Sequence, residues 1–405
     1  MKDAPHKQRL IPEAAGAQTT AQAQTAAHKK IHPVIKNTPD LPPIDWSLIG
    51  QQAPALLHTP ADDLPQADVV IITWAGAEWA AMQHVFCSGD AGMPYDAGQT
   101  SRWPDWQEYN KDLPPYHGQP GNEWTYWGYY RLVEIRGQKV LLFKSNTHLT
   151  WPGKQYVEDL IRRLVGCAKP KFLMSVGTAG GARTHDKEGT VNVVRAGTLY
   201  AAGEPQSEWP TYANEWRADW SIIGGENFGR LLFPIPTVES DLESLREQFN
   251  HTYGTDYSLA QLNVGGVAYG DAVPRINDLT PAGTPLLTTS TFVVATTSGN
   301  YADFACVEMD DAVIARICSE KNVAFGFVRN VSDPVQNAEL PSDVQGNWGG
   351  VLYDAYGLYT SYNGALAAWA LVNGQTEADG RREADGQREA DEWPNSPHAG
   401  SSEVF

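Results

Sequence analysis

The stretch Val307-Glu-Met-Asp-Asp311, followed by Val328-Arg-Asn-Val-Ser-Asp333, decides how this chain folds. Between them, residues 312–321 carry apolar side chains at helical spacing, and residues 323–328 form a short, almost continuously apolar run that predicts a buried strand. Carboxylates therefore stand just before the predicted helix. An arginine and an aspartate stand at the carboxyl end of the strand that follows it. That edge of an open α/β sheet is where ligands bind. Because unpaired buried charge is costly, the convergence of these charges predicts a chemical or ionic role.

Composition limits the class of protein. The 405 residues suffice for one domain of about 250–300 residues with additional segments. The formal net charge of −18 argues against nucleic-acid binding, which needs a basic surface. The four cysteines show no paired spacing, which favours a reduced, cytoplasmic protein. We expect no secretory signal and no membrane contact, since no apolar run approaches the roughly 20 residues of a membrane span.

Strands alternate with helices along the chain, which predicts an α/β fold: a single three-layer domain with a mixed central sheet flanked by helices. The predicted strands are 68–73, 172–176, 262–268 and 291–295, together with a hairpin of 126–135 and 139–144 that turns through Arg136-Gly137. The predicted helices are 77–86, 156–167, 242–249 and 352–371.

The segments outside this pattern differ in composition. Residues 1–40 are polar and predicted to be disordered, and 41–66 are predicted to be an extended linker that packs on the body. The body is 67–375, with insertions near 87–121 and 204–255. Residues 376–405 contain three short charged repeats and are predicted to be a disordered acidic tail, with a partner-binding segment as the alternative.

Gly177-Thr-Ala-Gly-Gly181 follows a predicted strand and would let a ligand approach the backbone closely. The spacing differs from the dinucleotide and phosphate-loop motifs. Taken singly, each candidate has an ordinary structural interpretation. The glycines can form a tight turn, Glu78 can be a solvated helix residue, and Arg329 with Asp333 can be a structural ion pair.

Taken together, in chain order, these motifs resemble those of the nucleoside phosphorylase superfamily, and most closely its methylthioadenosine/S-adenosylhomocysteine nucleosidase branch. The resemblance covers about residues 67 to 375 apart from the two insertions, and the last two motifs are the most specific. The motifs are Ala75-Gly-Ala-Glu78, Gly177-Thr-Ala-Gly-Gly181, Tyr269-Gly-Asp271, Val307-Glu-Met-Asp310 and Arg329-Asn-Val-Ser-Asp333.

The resemblance implies roles for these residues in breaking a purine N-glycosidic bond. Asp333 would be the general acid that protonates the departing base, oriented by Ser332; such an acid contributes about 10²–10⁴-fold. It should be partly buried with a raised pKa, so that it carries a proton near pH 7. Glu78, Asp310 and Arg329 would hold the attacking water. The remaining substrate-binding positions would be Gly177, Thr178, Ala179, Gly180, Val273, Val307, Glu308 and Met309.

Hydrolysis is favoured over phosphorolysis. Phosphorolytic relatives carry a cation two positions before the glycine, where this chain has Ser175. Lys144 could substitute in principle. His148 and His185, near the glycine turn, could also meet a phosphate, although a lone histidine is usually a structural residue. A phosphate-dependent phosphorylase therefore stays open as the alternative.

Three departures from the family pattern bear on the substrate. Asp310 stands where the family more often has Glu, and Thr198 replaces a usual Asp. Pro274, next to Val273, stands where a backbone N–H would meet the adenine ring, and proline has no N–H. Adenine is thus the expected base. At Pro274, either the alignment with the family shifts by one residue or the base is recognised differently.

The insertions contain aromatic residues that either stack on a ligand or pack the insertions onto the body. They are Trp103, Trp106, Tyr109, Trp209, Trp216 and Trp220.

The sequence thus predicts a purine nucleosidase without metal or organic cofactor, acting on an adenine nucleoside or a larger nucleotide. A homo-oligomer, dimer or higher, is implied by the resemblance alone. The long insertions also suggest a specialised effector that depletes a nucleotide pool. The rival hypotheses are a non-catalytic nucleotide-binding module and a structural protein with accidental motifs.

Overall fold

The computed structural model describes residues 39–61, 63–88, 105–116, 124–149, 151–183, 185–220, 226–263, 268–290, 301–334 and 340–391, the last seventeen of these (375–391) by their backbone alone. Most of the predicted disordered N-terminal segment, the predicted strand 291–295 and the end of the predicted acidic tail lie outside the described residues. Among the helices described, none has both the length and the apolar character of a membrane span.

The strands are β1 (Ala55–Leu56), β2 (Val69–Thr73), β3 (Gln107–Tyr109), β4 (Gly128–Ile135), β5 (Gln138–Ser145), β6 (Phe172–Gly181), β7 (Val191–Val194), β8 (Ala196–Leu199), β9 (Thr211–Ala213), β10 (Ile276–Asp278), β11 (Leu286–Thr288), β12 (Val307–Glu308) and β13 (Ala324–Pro334). The helices are α1 (Gly76–Gln83), α2 (Lys154–Ala168), α3 (Glu226–Gly229), α4 (Glu239–Tyr253), α5 (Leu259–Leu262), α6 (Asp311–Lys321) and α7 (Ser342–Asp391). A π-helical turn, His84–Ser88, continues α1.

The strands form one mixed sheet in the order β1-β4-β5-β2-β6-β12-β11-β8-β9, and β13 is parallel to β6 and antiparallel to β7. Alternate side chains of β2 enter two cores on opposite faces. Val69 and Ile71 pack with residues of α1, α4 and α7, whereas Val70 and Ile72 pack with residues of α2 and α6. The predicted fold class, a mixed sheet between two layers of helices, is confirmed.

The two decisive motifs are brought together by the pairing of β6 with β13. The register places Arg329 opposite Gly177 and Asn330 opposite Thr178. β13 is apolar on both faces because helices cover the sheet on both sides, which is typical of parallel strands. Its polar residues begin only where the strand reaches the carboxyl edge of the sheet, so the charges of both motifs lie at that edge.

The predicted hairpin is confirmed. β4 and β5 are antiparallel, and Arg136 and Gly137 both have positive φ angles, 50° and 82°. Two positive φ values are what a two-residue turn needs to match the twist of the strands. This hairpin extends the sheet beyond β2.

The predicted linker residues that are described lie against the body. β1 pairs with β4, and the ring of Trp46 lies 4.4 Å from that of Trp369 on α7. The Tyr359 hydroxyl donates a hydrogen bond to the carbonyl of Pro39 at 2.8 Å. At the other end, the backbone of α7 runs to Asp391, beyond residue 376 where the acidic tail was predicted to begin.

The sequence pattern was wrong at Leu262, the predicted start of a strand. Leu262 instead ends the one-turn helix α5, while residues 264–267 lie outside the described residues. The reason is local capping: Ser258 Oγ accepts from the Gln261 N–H, and the Gln261 side chain accepts from the Ser258 N–H at 2.9 Å. Such a reciprocal cap nucleates a helix whatever the following residues prefer.

The described aromatic residues of the insertions pack on the body. Trp106 Nε1 donates to Gln83 Oε1 at 2.7 Å, and the Trp216 ring lies 5.0 Å from that of Phe172. Trp209 stacks on Phe304 at 6.3 Å. None of the described members of this group lines the cavity discussed below; Trp103 lies outside the described residues. Packing, rather than ligand stacking, is therefore their role in the structure.

Candidate active site

A cavity of about 650 Å³, its open mouth included, lies at the carboxyl ends of β2, β6 and β13, where α6 begins. It is lined by Trp74, Ala75, Glu78, His148, Thr178, Ala179, Thr289, Val307, Glu308, Met309, Asp310, Arg329, Ser332, Asp333, Gly349, Gly350 and Tyr353. Residues from seven separate segments of the chain therefore meet at the edge that the two motifs predicted.

Arg329 is the centre of a buried ion network. Its Nε donates to Asp311 Oδ2 at 2.7 Å, and its Nη2 donates to Asp311 Oδ1. Nη2 also donates to Ser175 Oγ at 2.7 Å and to Glu308 Oε2 at 3.2 Å. Burial by itself would lower the pKa of Arg329, but Asp311 and Glu308 outweigh it and raise the pKa. The two-pronged contact with Asp311 holds the guanidinium in one orientation, with its face 5.0 Å from the Trp74 ring.

Asp311 is a site residue that the sequence interpretation did not assign. It is fully buried and accepts a hydrogen bond from Ser175 Oγ at 2.5 Å. The feature of the sequence that could have pointed to Asp311 is the pair of adjacent aspartates at 310 and 311. Of the two, the structure directs Asp311 toward Arg329 and leaves Asp310 on the cavity wall.

Glu308 closes the network at the start of α6. Its carboxyl accepts from the backbone N–H groups of Asp310 at 2.6 Å and Asp311 at 3.0 Å, and from the Thr288 hydroxyl. Burial and the neighbouring Asp311 raise the pKa of Glu308 to about 8, although Arg329 acts to lower it. Both Glu308 and Asp311 therefore accept hydrogen bonds from Arg329, and the guanidinium is shared between the two carboxyl groups.

Glu78 is held by five hydrogen bonds at the start of α1. Oε2 accepts from the Thr73 hydroxyl at 2.7 Å and from the N–H groups of Trp74 and Ala75, both at 2.8 Å. Oε1 accepts from both the N–H and the hydroxyl of Thr178 at 2.7 Å. Burial raises the pKa of Glu78, but the charge of Arg329 and these hydrogen bonds outweigh burial and lower it. Glu78 is thus a fixed anion whose roughly four acceptor directions are already used.

Asp310 is placed beside a histidine from a distant part of the chain. His148 Nδ1 lies 2.8 Å from Asp310 Oδ2, and the Leu149 N–H donates to Asp310 Oδ1 at 3.2 Å. Both side chains line the cavity. The sequence interpretation considered His148 only as a structural or phosphate-binding residue, because the approach of β5 to α6 is a tertiary contact.

Asp333 lies apart from this network on the cavity wall. It is 3% exposed; Oδ1 accepts from the Ser332 hydroxyl at 2.6 Å, while Oδ2 has no hydrogen-bond partner among the described residues. Burial raises the pKa of Asp333 to about 6, against the opposing effect of the Ser332 hydrogen bond. These are the burial and raised pKa that a general acid at this position requires.

Most of the sequence-predicted site residues line one cavity. They are Glu78, Thr178, Ala179, Val307, Glu308, Met309, Asp310, Arg329, Ser332 and Asp333. Gly177 lies just beneath the wall against Arg329 and Glu78, and Gly180 pairs with Val307 in the sheet.

Val273, the remaining predicted substrate-binding residue, lies outside this cavity. Its side chain is 61% exposed, and it is not part of the cavity wall. The segment turns at Gly270, where φ is +64°, and Arg275 Nε bonds Asp271 Oδ2 at 2.7 Å.

We expect Gly177→Ala to disturb the site. A Cβ at this position would lie 2.5 Å from Arg329 Nη1 and 2.8 Å from Glu78 Oε1, and both side chains are held by several hydrogen bonds. We expect a loss of about 1–3 kcal/mol in the free energy of unfolding, as for other overpacked sites. Urea unfolding measures it. Gly166→Ala on α2 is the control, since its Cβ would meet nothing within 4 Å and should stabilise by about 0.5–1 kcal/mol. Equal effects of the two substitutions would contradict the close packing at Gly177.

Among the described residues, no cluster of three or more His, Cys, Asp or Glu side chains has the arrangement of a metal site. The site as described thus consists of a buried ion network around Arg329, a paired Asp310 and His148, and a separate buried acid, Asp333.

Comparison with known proteins gives similarity at the level of structure. No protein-family model and no curated protein matches the chain. The solved structures similar to it include the 5′-methylthioadenosine/S-adenosylhomocysteine nucleosidase from Neisseria meningitidis, with 13% identity, a TM-score of 0.41, and coverage of 76% of this chain and 99% of that one. The S-adenosylhomocysteine nucleosidase from Streptococcus pyogenes has 13% identity, a TM-score of 0.41 and coverage of 76% and 98%. The futalosine hydrolase of Helicobacter pylori has 11% identity, a TM-score of 0.40 and coverage of 75% and 97%.

Similarity of this size carries no argument about activity.

Proposed function

We propose that this protein hydrolyses the N-glycosidic bond of a purine nucleoside, with adenine as the expected base. The observation that carries the proposal is that one cavity has two chemically different sides. A buried acid with one unpartnered oxygen, Asp333, lines the same cavity as the anionic and cationic groups around Arg329. Cleavage of this bond needs an acid on the base and charge stabilisation at the sugar.

Asp333 is the proposed acid. A purine leaves poorly as an anion, so protonation of the base must accompany stretching of the bond. Because Ser332 occupies only Oδ1, we assign the contact with the base to Oδ2, which has no hydrogen-bond partner among the described residues. With a pKa of about 6, a fraction of Asp333 is protonated at neutral pH.

The sugar side is assigned to Glu78, Asp310 and Arg329. The developing oxocarbenium ion is electron-poor, and the buried negative charge of Glu78 stabilises it. Since Glu78 already accepts five hydrogen bonds, we assign it a charge-stabilising role and assign direct contact with the attacking water to Asp310, with His148 beside it. Glu308 and Met309 are the proposed contacts of the ribose.

Water is favoured over phosphate as the nucleophile. Arg329, the one arginine on the cavity wall, is already bonded to Asp311, Ser175 and Glu308. A phosphate dianion would also meet Glu78 and other carboxyl groups in the cavity. Because like charges repel strongly in a buried site, phosphorolysis is disfavoured.

Base release from a panel of substrates tests the proposal. The purified protein is incubated with methylthioadenosine, adenosine, inosine, AMP and ATP, with and without inorganic phosphate, and products are separated by chromatography. We expect free base and free sugar at the same rate in both conditions. Release that depends on phosphate would make the protein a phosphorylase, and binding without release would favour the non-catalytic nucleotide-binding module.

A further inference from the structure

His148 is a residue of the cavity wall to which the proposed reaction assigns no step. Its side chain is 11% exposed and lines the cavity. It belongs to none of the five motifs that resemble the nucleoside phosphorylase superfamily. An imidazole changes its charge near neutral pH, so a histidine beside a carboxylate in a cavity is a candidate for proton transfer.

The backbone around His148 is held in a compact turn. The His148 N–H donates to the Trp151 carbonyl at 2.7 Å, and the His148 carbonyl accepts from the N–H groups of Trp151 at 3.1 Å and Gly153 at 3.2 Å. The next residue, Leu149, donates its N–H to Asp310 Oδ1 at 3.2 Å. One short segment therefore fixes the imidazole beside Asp310 and also engages the other oxygen of that carboxylate.

The contact between the two side chains is an attraction of charges. His148 Nδ1 lies 2.8 Å from Asp310 Oδ2, and the Asp310 side chain is only 2% exposed. Nδ1 makes no directed hydrogen bond to a described residue. A carboxylate this close still repels a lone pair and attracts a hydrogen, so it favours the hydrogen on Nδ1 and leaves the lone pair of the neutral ring on Nε2.

The other carboxyl groups on the sugar side of the site are already committed. Glu78 accepts five hydrogen bonds. Glu308 accepts from two backbone N–H groups, a hydroxyl and a guanidinium. Asp311 is fully buried and lies outside the cavity wall. Among the described residues that line the cavity, Asp310 and His148 are therefore the groups placed to receive the proton that the attacking water loses.

Of these two groups, the imidazole is the better base for this step. A general base works best when its affinity for a proton matches the working pH, and an imidazole meets that condition near neutrality. Each carboxylate oxygen offers about two acceptor directions. Asp310 can therefore hold the water and face His148 at the same time.

We propose that His148 is the general base of the hydrolysis, accepting at Nε2 the proton of the attacking water while Asp310 holds that water and stabilises the imidazolium. This inference rests on the proposed function. It makes His148 a catalytic residue, because its ring nitrogen contacts the reacting water.

The charges around His148 favour this proton uptake. The titratable or charged side chains that share the cavity wall with His148 are Glu78, Glu308, Asp310, Arg329, Asp333 and Tyr353. Arg329 is the cation among them, and it donates to Asp311 and Glu308. The group that faces the ring directly is Asp310, so protonation of His148 forms an ion pair within the wall.

The protons balance over one turnover. Asp333 gives one proton to the base as the N-glycosidic bond breaks. Water adds to the sugar carbon as hydroxyl, and its other proton passes to His148. Asp333 then regains a proton from solvent and His148 returns one, so the net reaction consumes one water and neither releases nor takes up acid.

The first test locates the hydrogen on the ring and needs no substrate. Nitrogen NMR spectra of histidine-labelled protein are recorded at alkaline pH, and the His148 signals are assigned by their loss in His148→Gln. We expect the hydrogen on Nδ1 of His148. His185, which is exposed and whose Nε2 faces Asp186 at 3.6 Å, is the internal reference and should carry its hydrogen on Nε2. A hydrogen on Nε2 of His148 would overturn the proposal, because that nitrogen could not accept a proton.

The second test follows base release against pH. We expect His148→Gln to lower kcat by about 10²-fold, with little change in KM. The wild-type rate should also fall toward low pH, where a protonated imidazole cannot act as a base, and this fall should be absent in His148→Gln. His185→Gln, which alters a histidine outside the cavity wall, should keep both the rate and its pH dependence. An unchanged kcat in His148→Gln would exclude His148 as the base.

The third test separates a base from a structural residue. His148→Ala leaves a space that imidazole from solution can fill. We expect added imidazole to restore part of the rate in proportion to its concentration, and to leave the rate of His148→Gln unchanged because glutamine fills that space. Urea unfolding shows whether both variants are folded. Loss of activity in both folded variants without rescue of His148→Ala would show a structural role and overturn the proposal.

The outcomes distinguish the two proposals. If the wild type releases no base from any nucleoside, the proposed function fails and the role of His148 fails with it. If the wild type releases base while the hydrogen lies on Nε2 or imidazole gives no rescue, only the role of His148 is overturned.

Discussion

Asp333→Asn is expected to lower kcat for base release by about 10²–10⁴-fold, the usual contribution of a positioned general acid. The amide keeps the shape of the side chain and has no proton of suitable acidity to give to the base. In the wild type, kcat should fall as pH rises through about 6, where Asp333 loses its proton. The residual rate of the variant should lack this dependence. Steady-state kinetics with one nucleoside from pH 5 to pH 9 measure both effects.

The stability of the same variant is the control, because we do not expect Asp333→Asn to destabilise the fold. The folded-state pKa of Asp333 is raised, so ionisation of Asp333 costs folding free energy as pH rises through about 6, by up to about 3 kcal/mol. Asparagine removes that cost. We expect equal stabilities near pH 4 and a more stable variant at pH 8 in urea unfolding. Wild-type activity in Asp333→Asn would exclude Asp333 as the acid.

Arg329→Met is expected to destabilise the protein by about 3–5 kcal/mol, the cost of leaving buried charge without its partner. Asp311 would lose both of its bonds from the guanidinium, Glu308 one and Ser175 one. Methionine has a similar length and is apolar, so the loss reflects charge more than volume. Urea unfolding at pH 7 measures it.

A surface arginine provides the matched control. Arg316 also contacts two carboxylates, Glu158 at 2.7 Å and Glu320 at 3.0 Å, but its side chain is 24% exposed. Arg316→Met should cost no more than about 1 kcal/mol. Adding Asp311→Asn to Arg329→Met should recover part of the stability, because it removes the stranded charge. Equal effects of the two arginine substitutions would contradict the buried network.

Much of the fold could be predicted from local pattern. The apolar strand at 69–73, the Arg136-Gly137 hairpin and the helix after Asp311 each depend on periodicity or on turn chemistry within a few residues. Local pattern was wrong at Leu262, where a helix cap outweighed strand-like composition. The short strands β7, β8 and β11 escaped prediction because three or four residues carry too little periodicity.

Most of the residues that the sequence singled out line the cavity, but the contacts among them could not be predicted. Asp333, Arg329 and Glu308 are recognisable because their motifs stand at fixed spacing. The role of Asp311 depends on Ser175, which is 136 positions away, and His148 meets Asp310 only because β5 ends near the start of α6. Val273 had motif support, yet its segment turns outward and leaves it exposed.

The sequence by itself determined the layered α/β architecture and the edge at which the charged motifs converge, since each depends on spacing along a single strand or helix. Only the tertiary structure decided which aspartate pairs with Arg329, that His148 lies beside Asp310 and that one oxygen of Asp333 is left without a hydrogen-bond partner among the described residues. The physical reason is that pairing, burial and proton affinity are properties of neighbours in space. Those neighbours come from segments far apart in the chain, and no local pattern records their approach.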